Sequence, residues 1–219
     1  SERRLLGPSA PILKRLNAIL DAGCTVAVAT GRGKSVREAL RKHITTVARR
    51  ARVIVGYHNG AEVGSLVDPD FPPPASPLAP DLIPVAHALR KSPIITRHAT
   101  VEAKGHQITI ELKPTGDAAA VLDETTGAVR VYARCGKIAV VTSSHSIDII
   151  AAGVSKLSVV AHLVRDLGLG DDGRDSVLCI GDRGRASGND AELLSHPLSL
   201  TVDQASSDPA TCWPLAEPG

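Results

Sequence analysis

Three short segments of the sequence carry polar side chains of the kinds that bind phosphate or a divalent cation. The first is Thr30-Gly31-Arg32, which directly follows an apolar run. A threonine hydroxyl at the end of a strand, beside a glycine that lets the backbone approach closely, suits a phosphate oxygen. Because Thr-Gly is also common in ordinary turns, both interpretations stand when the segment is taken alone.

The second segment contains a lysine at the start of a helix. Lys156 follows Ser155, a residue that favours the beginning of a helix. The helix macrodipole disfavours a cation at this end and favours an anion. The position of Lys156 therefore indicates an anion nearby, although a solvated surface lysine is the plainer interpretation of this residue alone.

The third segment is a glycine-rich loop that contains two carboxylates. It runs from Gly181 to Asp190 after an apolar run and includes Asp182, Asn189 and Asp190. Mg²⁺ takes oxygen ligands and keeps several of its waters, so two carboxylates beside such a loop can hold it. The alternative is a turn in which Asn189 or Asp190 caps the next helix.

The elements before these segments predict a parallel α/β core. A helix over about 9–23 precedes an apolar strand at 25–29, and a helix over 35–50 precedes a second strand at 53–55. The pattern returns after Ser155 with a helix, a strand at 176–180, a short helix at 189–195 and a strand at 198–202. Alternating helices and buried strands are typical of parallel sheets, which bind ligands at the carboxyl ends of their strands.

A stretch of different character interrupts this pattern. Seven prolines lie between Asp68 and Pro84, which predicts a loop without regular helix or central strand. Alternating apolar and polar residues then predict strands at 107–112, 129–133, 138–142 and 146–150. We expect a small α+β insert with an antiparallel sheet, and three parts of the chain: core residues 1–63, insert residues 64–150, and core residues 151–219 with a C-terminal tail.

Composition sets the class of protein. The 219 residues are 43% apolar and 22% charged, which is typical of a globular chain. No apolar run is long enough to span a bilayer, and we expect no membrane partner. The four cysteines are scattered, which indicates neither a zinc site nor a redox dithiol and predicts reduced, mostly buried thiols in a cytoplasmic protein.

Charge is unevenly distributed along the chain. Residues 1–52 contain 12 Lys/Arg and 3 Asp/Glu, a net charge of +9, and the remainder has 13 and 20, a net charge of −7. A basic half can indicate nucleic-acid binding. Because aromatic residues make up only 2% of the chain and the cations are dispersed, we expect no nucleic acid but a solvated or phosphate-attracting surface.

Taken together and in order, four segments resemble the haloacid dehalogenase superfamily of phosphatases. They are AVATGR at 27–32, HNGA at 58–61, SIDIIAAGVSK at 146–156 and CIGDRGRASGND at 179–190. The similarity is greatest to the branch with a C2-type cap, the Cof-like sugar phosphatases and the sucrose-phosphate and trehalose-phosphate phosphatases. The resemblance implies a Rossmann-like parallel sheet core with an inserted α+β C2-type cap.

The resemblance also implies a role for individual positions. Thr30, with Gly31 and Arg32, matches the motif that holds the transferring phosphoryl group, and Lys156 matches the cation between nucleophile and phosphate. Asp182 matches the acidic Mg²⁺ ligand, supported by Asp190 at the metal and Asn189 at the phosphate or metal-bound water. Asn59 and Gly60 match a substrate-binding loop that leads to the cap. The resemblance therefore implies three sets of site residues. The catalytic set is Thr30, Lys156 and Asn189; the substrate-binding set is Gly31, Arg32, Asn59 and Gly60; and the metal-binding set is Asp182 and Asp190.

One part of the family pattern is not in the sequence. Phosphatases of this family use two aspartates in an Asp-x-Asp-Gly-Thr segment that ends the first strand, about 30 residues before the Thr-Gly-Arg motif, and the 219 residues contain no such segment. We expect that strand and its nucleophile to lie upstream of Ser1, and the 219 residues alone to be inactive. A second departure is the five-residue insertion between Gly181-Asp182 and Gly188-Asn189-Asp190.

These observations predict a Mg²⁺-dependent phosphatase for a small phosphorylated metabolite, with a sugar phosphate as the expected substrate. The reaction would proceed through an aspartyl-phosphate that water hydrolyses. Two alternatives remain open at this point. One is an inactive regulatory or binding module with the same fold, and the other is a phosphomutase-like relative that shares the site and differs in how it handles substrate.

Overall fold

A computed structural model of the protein describes residues 9–73, 76–142, 146–185, 188–205 and 213–214. The chain divides into two compact units. The first unit comprises Ser1–Pro73 and Ser155–Arg174, and the second comprises Pro74–Val154 and Asp175–Gly219. The boundaries that the sequence suggested for core and insert, at 63/64 and 150/151, stay a prediction.

The described ranges contain seven α-helices and ten strands. The α-helices are α1 (Ala10–Asp21), α2 (Lys34–His43), α3 (Val47–Arg50), α4 (Ile83–Lys91), α5 (Pro93–His98), α6 (Ala118–Arg134) and α7 (Leu157–Asp166). The strands are β1 (Val26–Ala29), β2 (Val53–Tyr57), β3 (Glu62–Ser65), β4 (Ala99–Lys104), β5 (Gln107–Leu112), β6 (Ile138–Thr142), β7 (Ser146–Ala151), β8 (Cys179–Arg183), β9 (Ser199–Gln204) and β10 (Trp213–Pro214).

The first unit is built on the sheet β1-β2-β3. Strands β1 and β2 are parallel, with Val26 opposite Val53, and β3 returns antiparallel to β2. The parallel α/β arrangement that the sequence predicts is confirmed here. Among the described residues β1 pairs on one side only. The core of this unit is apolar: Leu20, Leu40, Ile44, Val53, Val55, Tyr57 and Leu66.

The single helix expected over 35–50 is two helices. Helix α2 ends at His43, because Ile44 adopts an extended conformation and is fully buried. Thr46 then begins α3 by accepting a hydrogen bond from the Arg49 backbone N–H at 3.3 Å. Burial of Ile44 and the cap at Thr46 therefore outweigh the continuous helical pattern of the sequence.

The second unit contains two sheets. The antiparallel sheet has the order β4-β5-β7-β6, and the parallel sheet has the order β10-β9-β8. We call the antiparallel sheet, with the helices α4, α5 and α6, the cap. The predicted α+β insert with an antiparallel sheet is confirmed. One face of the cap sheet packs on the helices through an apolar core that includes Leu82, Leu89, Ile95, Ile108, Ile110, Val121 and Ile149.

Three sequence predictions in this unit are wrong. The short helix expected at 189–195 is only a 3₁₀ turn at Leu193–Ser195, preceded by turns. The segment 129–133 is not a strand but part of α6, which Asp117 begins by accepting hydrogen bonds from the backbone N–H groups of Ala119 and Ala120. Val129 is buried while Val131 is 69% exposed, so the local β preference yields to the helix that runs through it. The proline-rich stretch is also not a loop to its end, because Pro84 lies in the first turn of α4, where proline is tolerated.

Several of the basic side chains near the N-terminus stabilise the first unit. Arg49 makes a two-pronged ion pair with Asp21, with both N···O distances at 2.7 Å. Arg37, Arg50 and Arg52 donate hydrogen bonds to backbone carbonyl oxygens. Part of the excess positive charge is therefore engaged inside the fold.

Two other expectations concern the membrane and the cysteines. No α-helix within the described ranges has the length and apolar character needed to span a bilayer.

Cys24 and Cys135 are exposed free thiols and Cys179 is a buried one. The expectation of mostly buried thiols is therefore wrong for two of these three cysteines, because Cys24 precedes β1 and Cys135 follows α6 at the surface; Cys212 lies outside the described residues.

Candidate functional site

The first polar loop follows the carboxyl end of β1. Thr30 continues the β1–β2 pairing, since its N–H donates to the Gly56 carbonyl oxygen at 2.9 Å. Its side-chain oxygen accepts a hydrogen bond from the Arg32 N–H at 3.1 Å. The Thr30 hydroxyl proton is thus left to donate to an acceptor outside this turn.

The second polar loop follows the carboxyl end of β2 and has a rare backbone conformation. His58, Asn59 and Gly60 all have positive φ, at 49°, 59° and 88°. For residues other than glycine this conformation is strained, and such strain concentrates at functional sites. Asn59 is 3% exposed and is therefore held inside the structure.

Hydrogen bonds join the two loops. The Asn59 N–H donates to the Thr30 carbonyl oxygen at 2.8 Å, and the His58 N–H donates to the Arg32 carbonyl oxygen at 3.3 Å. The His58 ring also lies against Gly33, where a Cβ would come within 2.9 Å of it. The backbone of His58 and Asn59 therefore fixes the Thr30-Gly31-Arg32 turn.

Gly60 connects this pair of loops to the start of α7. A Cβ on Gly60 would collide with the carbonyl oxygen of Ser155 and would lie 3.3 Å from the Lys156 Cα. The α7 side chain Val159 packs in the same close manner on Gly56 in β2. Glycine at both positions lets α7 approach the sheet, and it brings Lys156 to the same loops as Thr30 and Asn59.

Lys156 is buried at the amino end of α7. It is 5% exposed, and Ser155 accepts a hydrogen bond from the Leu157 N–H at 3.0 Å in the first turn. The helix dipole favours an anion at this end of α7, and an anion bound there would add to the interaction that Lys156 already makes within the chain. Within the first unit, the structure thus brings together a hydroxyl, a buried ammonium and a helix amino terminus.

The second unit contains the carboxylate pair. Asp182 lies in β8 and Asp190 lies in the loop that follows it. The Asp182 N–H donates to the Asp190 carboxylate at 3.0 Å, and Asp190 is 9% exposed. A Cβ on Gly181 would lie 2.9 Å from the same carboxylate oxygen, so Gly181 allows Asp190 to lie against β8.

The two carboxyl groups raise the cost of ionising Asp182. Partial removal from water raises the pKa of the Asp182 carboxyl, and a hydrogen bond to Asp190 and its negative charge raise it further, while the positive charge of Arg183 acts in the opposite direction. Two carboxyl groups that are close enough to share a hydrogen bond favour either a shared proton or a bound cation.

Two observations test whether the residues present fit Mg²⁺. The side-chain oxygen of Asn189, next to Asp190, is buried and accepts no hydrogen bond from the residues that the structure describes. No group of three or more His, Cys, Asp or Glu side chains that could hold a metal occurs among the described residues. A pair of carboxylates with an amide oxygen beside it fits Mg²⁺, which binds one or two carboxylates and keeps its waters.

The sequence prediction placed nine residues at the site, and the structure groups them by unit. Thr30, Gly31, Arg32, Asn59, Gly60 and Lys156 lie in the first unit, and Asp182, Asn189 and Asp190 lie in the second. Their catalytic, substrate-binding and metal-binding roles stay proposals.

Two features of these loops lie outside the sequence predictions. His58 fixes the first loop, and its place between a strand and Asn-Gly, a dipeptide typical of tight turns, is a signal that the sequence contains. Gly188, in the carboxylate loop, pairs with Thr142 at the end of β6 as an isolated bridge, and no sequence pattern indicates this contact.

No protein-family model matches the sequence, and no curated protein matches it. Solved structures do match along nearly the whole chain. The sucrose-phosphatase from Synechocystis, in complex with sucrose and phosphate, is 17% identical over 96% of this chain and 87% of its own, with a TM-score of 0.64.

Two further structures show the same similarity. A haloacid dehalogenase-like hydrolase from Bacteroides thetaiotaomicron is 15% identical over 94% of this chain and 86% of its own, with a TM-score of 0.64. The trehalose-6-phosphate phosphatase from Aspergillus fumigatus is 18% identical over 96% and 80%, with a TM-score of 0.55. These comparisons confirm the predicted fold, a Rossmann-like α/β core with an α+β cap.

Proposed function

We propose that this chain, which has the fold of the haloacid dehalogenase phosphatases, is the catalytic domain of a Mg²⁺-dependent phosphomonoester hydrolase for a small sugar phosphate. The observation that carries the proposal is the junction of three segments in the first unit. The Asn59 N–H contacts the Thr30 carbonyl, and Gly60 lies against Ser155 and Lys156. Three segments far apart in sequence therefore meet around groups that favour an anion.

The side chains of the first unit bind the phosphoryl group in this proposal. In this proposal the Thr30 hydroxyl donates to one phosphoryl oxygen, and the backbone at Gly31 and the ammonium group of Lys156 lie beside the others. Arg32 and Asn59 orient the substrate next to this group. Phosphoryl transfer depends mainly on such fixed positive groups, so these residues supply most of what the reaction needs.

Asp182 and Asp190 would hold the metal, with Asn189 oriented toward its water or the phosphate. Mg²⁺ supplies positive charge that stabilises the phosphoryl oxygens in the transition state. The raised pKa of Asp182 and the buried oxygen of Asn189 support this assignment, since both groups gain from a cation.

The nucleophile is an aspartate that we place upstream of Ser1, in an Asp-x-Asp-Gly-Thr strand. Its carboxylate attacks phosphorus and releases the sugar hydroxyl, which takes a proton from the second aspartate, and water then hydrolyses the aspartyl-phosphate. The outer edge of β1, which has no paired strand among the described residues, is a suitable place for a further parallel strand. The free thiols of Cys24 and Cys135 support a reducing compartment, the cytoplasm.

Phosphate binding tests this site without the nucleophile. We expect inorganic phosphate to bind the 219-residue chain in titration calorimetry, more tightly with Mg²⁺ than without, while the chain releases no phosphate from p-nitrophenyl phosphate. Lys156→Ala should weaken phosphate binding about ten- to one-hundredfold, because a hydrogen bond to a charged group is lost. The control is Lys91→Ala, since Lys91 is an exposed lysine in the last turn of α4 in the cap. Equal phosphate binding by both variants would contradict the proposal, and so would turnover by the unextended chain.

A further inference from the structure

The parallel pairing of β8 and β9 is interrupted at Asp182. Gly181 lies opposite Thr201, and Arg183 lies opposite Gln204. One residue of β8, Asp182, therefore corresponds to two residues of β9. Such a bulge adds an extra residue to one strand, and bulges are common next to active sites, where they redirect a side chain or end the regular pairing. This bulge lies at a proposed metal ligand.

The bulge changes which backbone groups of β8 point to β9. Before it, the Cys179 N–H donates to the Leu198 carbonyl oxygen at 2.9 Å, and every second residue of a parallel strand pairs with the same neighbour. A regular ladder would therefore continue in steps of two residues to Arg183. Instead the next residue, Gly184, donates its N–H to the Gln204 carbonyl oxygen at 2.8 Å. The peptide unit between Arg183 and Gly184 is thus turned relative to a regular strand.

The turned peptide unit binds Asp190 on its other side. In a trans peptide the N–H and the C=O point in opposite directions, so the Arg183 carbonyl points away from β9. It accepts a hydrogen bond from the Asp190 N–H at 3.3 Å. The Asp182 N–H in turn donates to the Asp190 carboxylate at 3.0 Å. Two backbone groups of β8 therefore hold Asp190 beside Asp182.

The side chain of Thr201 closes the bulge from the β9 side. It is 1% exposed. Its hydroxyl donates to the Gln204 carbonyl oxygen at 3.0 Å and lies 3.4 Å from the Asp203 backbone nitrogen, from which it accepts a longer hydrogen bond. The Gln204 carbonyl oxygen thus accepts from both Thr201 and Gly184. The hydroxyl therefore fixes the same carbonyl that holds the turned peptide unit.

Four hydrogen bonds in series connect Thr201 to the carboxylate pair. They run through the Gln204 carbonyl, the peptide unit 183–184 and the backbone and side chain of Asp190, and all four lie within the second unit. Gly184 and Asp190 are both buried. In a buried network the loss of one member leaves another polar group unpaired, which costs more than the same loss at the surface. A change at Thr201 should therefore reach Asp190.

We infer that Thr201 is a positioning residue for the proposed metal site: its hydroxyl fixes the bulge that keeps the Asp190 carboxylate beside Asp182. The inference rests on the proposed function, in which these two carboxylates hold Mg²⁺. Thr201 itself binds neither metal nor substrate and acts through the backbone. Loss of a residue that holds the ligands of a metal typically weakens metal binding about 10- to 100-fold.

Hydrogen exchange of single amides tests the positioning role without a metal. The variant is Thr201→Val, which replaces the hydroxyl by a methyl group of similar size. We expect the Asp182 and Asp190 amides, followed by NMR in the folded 219-residue chain, to exchange at least about tenfold faster in this variant, because the loop opens locally more often. Thr201→Ser keeps the hydroxyl and should restore the wild-type rates.

Titration calorimetry with Mg²⁺ measures the consequence for the site. Thr201→Val should bind Mg²⁺ about tenfold more weakly, and Thr201→Ser should bind it like the wild type. The control is Ser199→Ala, which removes an equally buried hydroxyl of β9 that donates to the Leu194 carbonyl oxygen at 2.9 Å, outside the bulge. It should lower the free energy of unfolding in urea and leave the two amide rates and the Mg²⁺ affinity unchanged.

Three results would overturn the inference. The first is wild-type exchange of the Asp182 and Asp190 amides in Thr201→Val. The second is an equal effect of Ser199→Ala and Thr201→Val on these amides, which would show a loss of general stability. The third is equal Mg²⁺ affinity of Thr201→Val and a wild-type chain that binds Mg²⁺. Faster exchange in Thr201→Val, together with no Mg²⁺ binding by the wild type, would instead refute the metal assignment and support the positioning of Asp190 by Thr201.

Discussion

The backbone N–H of Asn59 donates a hydrogen bond to the carbonyl oxygen of Thr30 at a distance of 2.8 Å. This bond joins the loops that follow two neighbouring parallel strands, β1 and β2. Asn59 has a left-handed backbone conformation, with φ at 59°, which turns its N–H toward Thr30. The geometry of the proposed phosphate loop thus depends on the strained segment 58–60.

Gly60→Ala should damage the first unit more than the same change at another glycine of similar backbone. A left-handed conformation costs a residue with a Cβ about 1–2 kcal/mol. At Gly60 (φ +88°) the new methyl group also collides with the Ser155 carbonyl, whereas at Gly153 (φ +81°) nothing lies within 4 Å. We expect a lower free energy of unfolding for both variants in urea, a clearly larger loss at Gly60, and weaker phosphate binding only there. Equal losses would show that Gly60 does not contact α7.

Asp182→Asn should stabilise the metal-free chain at neutral pH and abolish Mg²⁺ binding. The pKa of the Asp182 carboxyl is higher in the folded state than in the unfolded state, so its ionised form destabilises the fold. The free energy of unfolding therefore falls as pH rises from the unfolded pKa to the folded pKa. Thermal unfolding with and without Mg²⁺ measures both effects. We expect Mg²⁺ to raise the melting temperature of the wild type and not of the variant; an equal rise in both would remove Asp182 from the metal site.

Tyr57 should remain protonated in the folded chain well above the usual pH. Burial raises the pKa of its phenol to about 12, and the side chain is fully buried. Because the folded pKa exceeds the unfolded value near 10, the contribution of Tyr57 to the free energy of unfolding should be constant below pH 10 and fall by up to about 2–3 kcal/mol between pH 10 and 12. A Tyr132→Phe variant leaves Tyr57 as the only tyrosine, so absorbance at alkaline pH follows its ionisation. Titration near pH 10 in folded protein would contradict the buried position.

Cys179 should react with thiol reagents only after unfolding. Removal from water raises the pKa of its thiol to about 11, so little thiolate is present at neutral pH. Cys24 and Cys135 are exposed and provide controls within the same chain. Mass spectrometry after brief alkylation of the native protein should find both modified and Cys179 unmodified, and equal modification of Cys179 would exclude its burial in β8.

The sequence predicts the elements of this fold better than their connections. The strands at 25–29, 53–55 and 107–112 are signalled by apolar runs or alternation, and the structure has strands at each. The strand expected at 129–133 fails because those residues continue a helix that begins at Asp117, twelve or more positions earlier. Local β preference cannot show where a helix started upstream.

At the candidate site, too, the sequence predicts residue types but not the contacts between distant segments. The residue types at Thr30, Lys156 and Asp182 point to phosphate and metal chemistry in the sequence alone. The hydrogen bond from Asn59 to Thr30 and the bridge from Gly188 to Thr142 cannot be read there, because both depend on backbone contacts between segments distant in sequence. Such contacts are set by tertiary packing and leave no periodic signal.

The most direct measurement is phosphate release from a neutral sugar phosphate by the chain extended ahead of Ser1 with an apolar strand that ends in Asp-x-Asp-Gly-Thr. We expect release that requires Mg²⁺, falls about 100- to 1,000-fold in Lys156→Ala, as when one fixed electrostatic group is lost, and disappears when the first of the added aspartates is replaced by asparagine. An extended chain that folds and binds Mg²⁺ and phosphate, yet releases none, would contradict the proposal that this domain is a phosphatase.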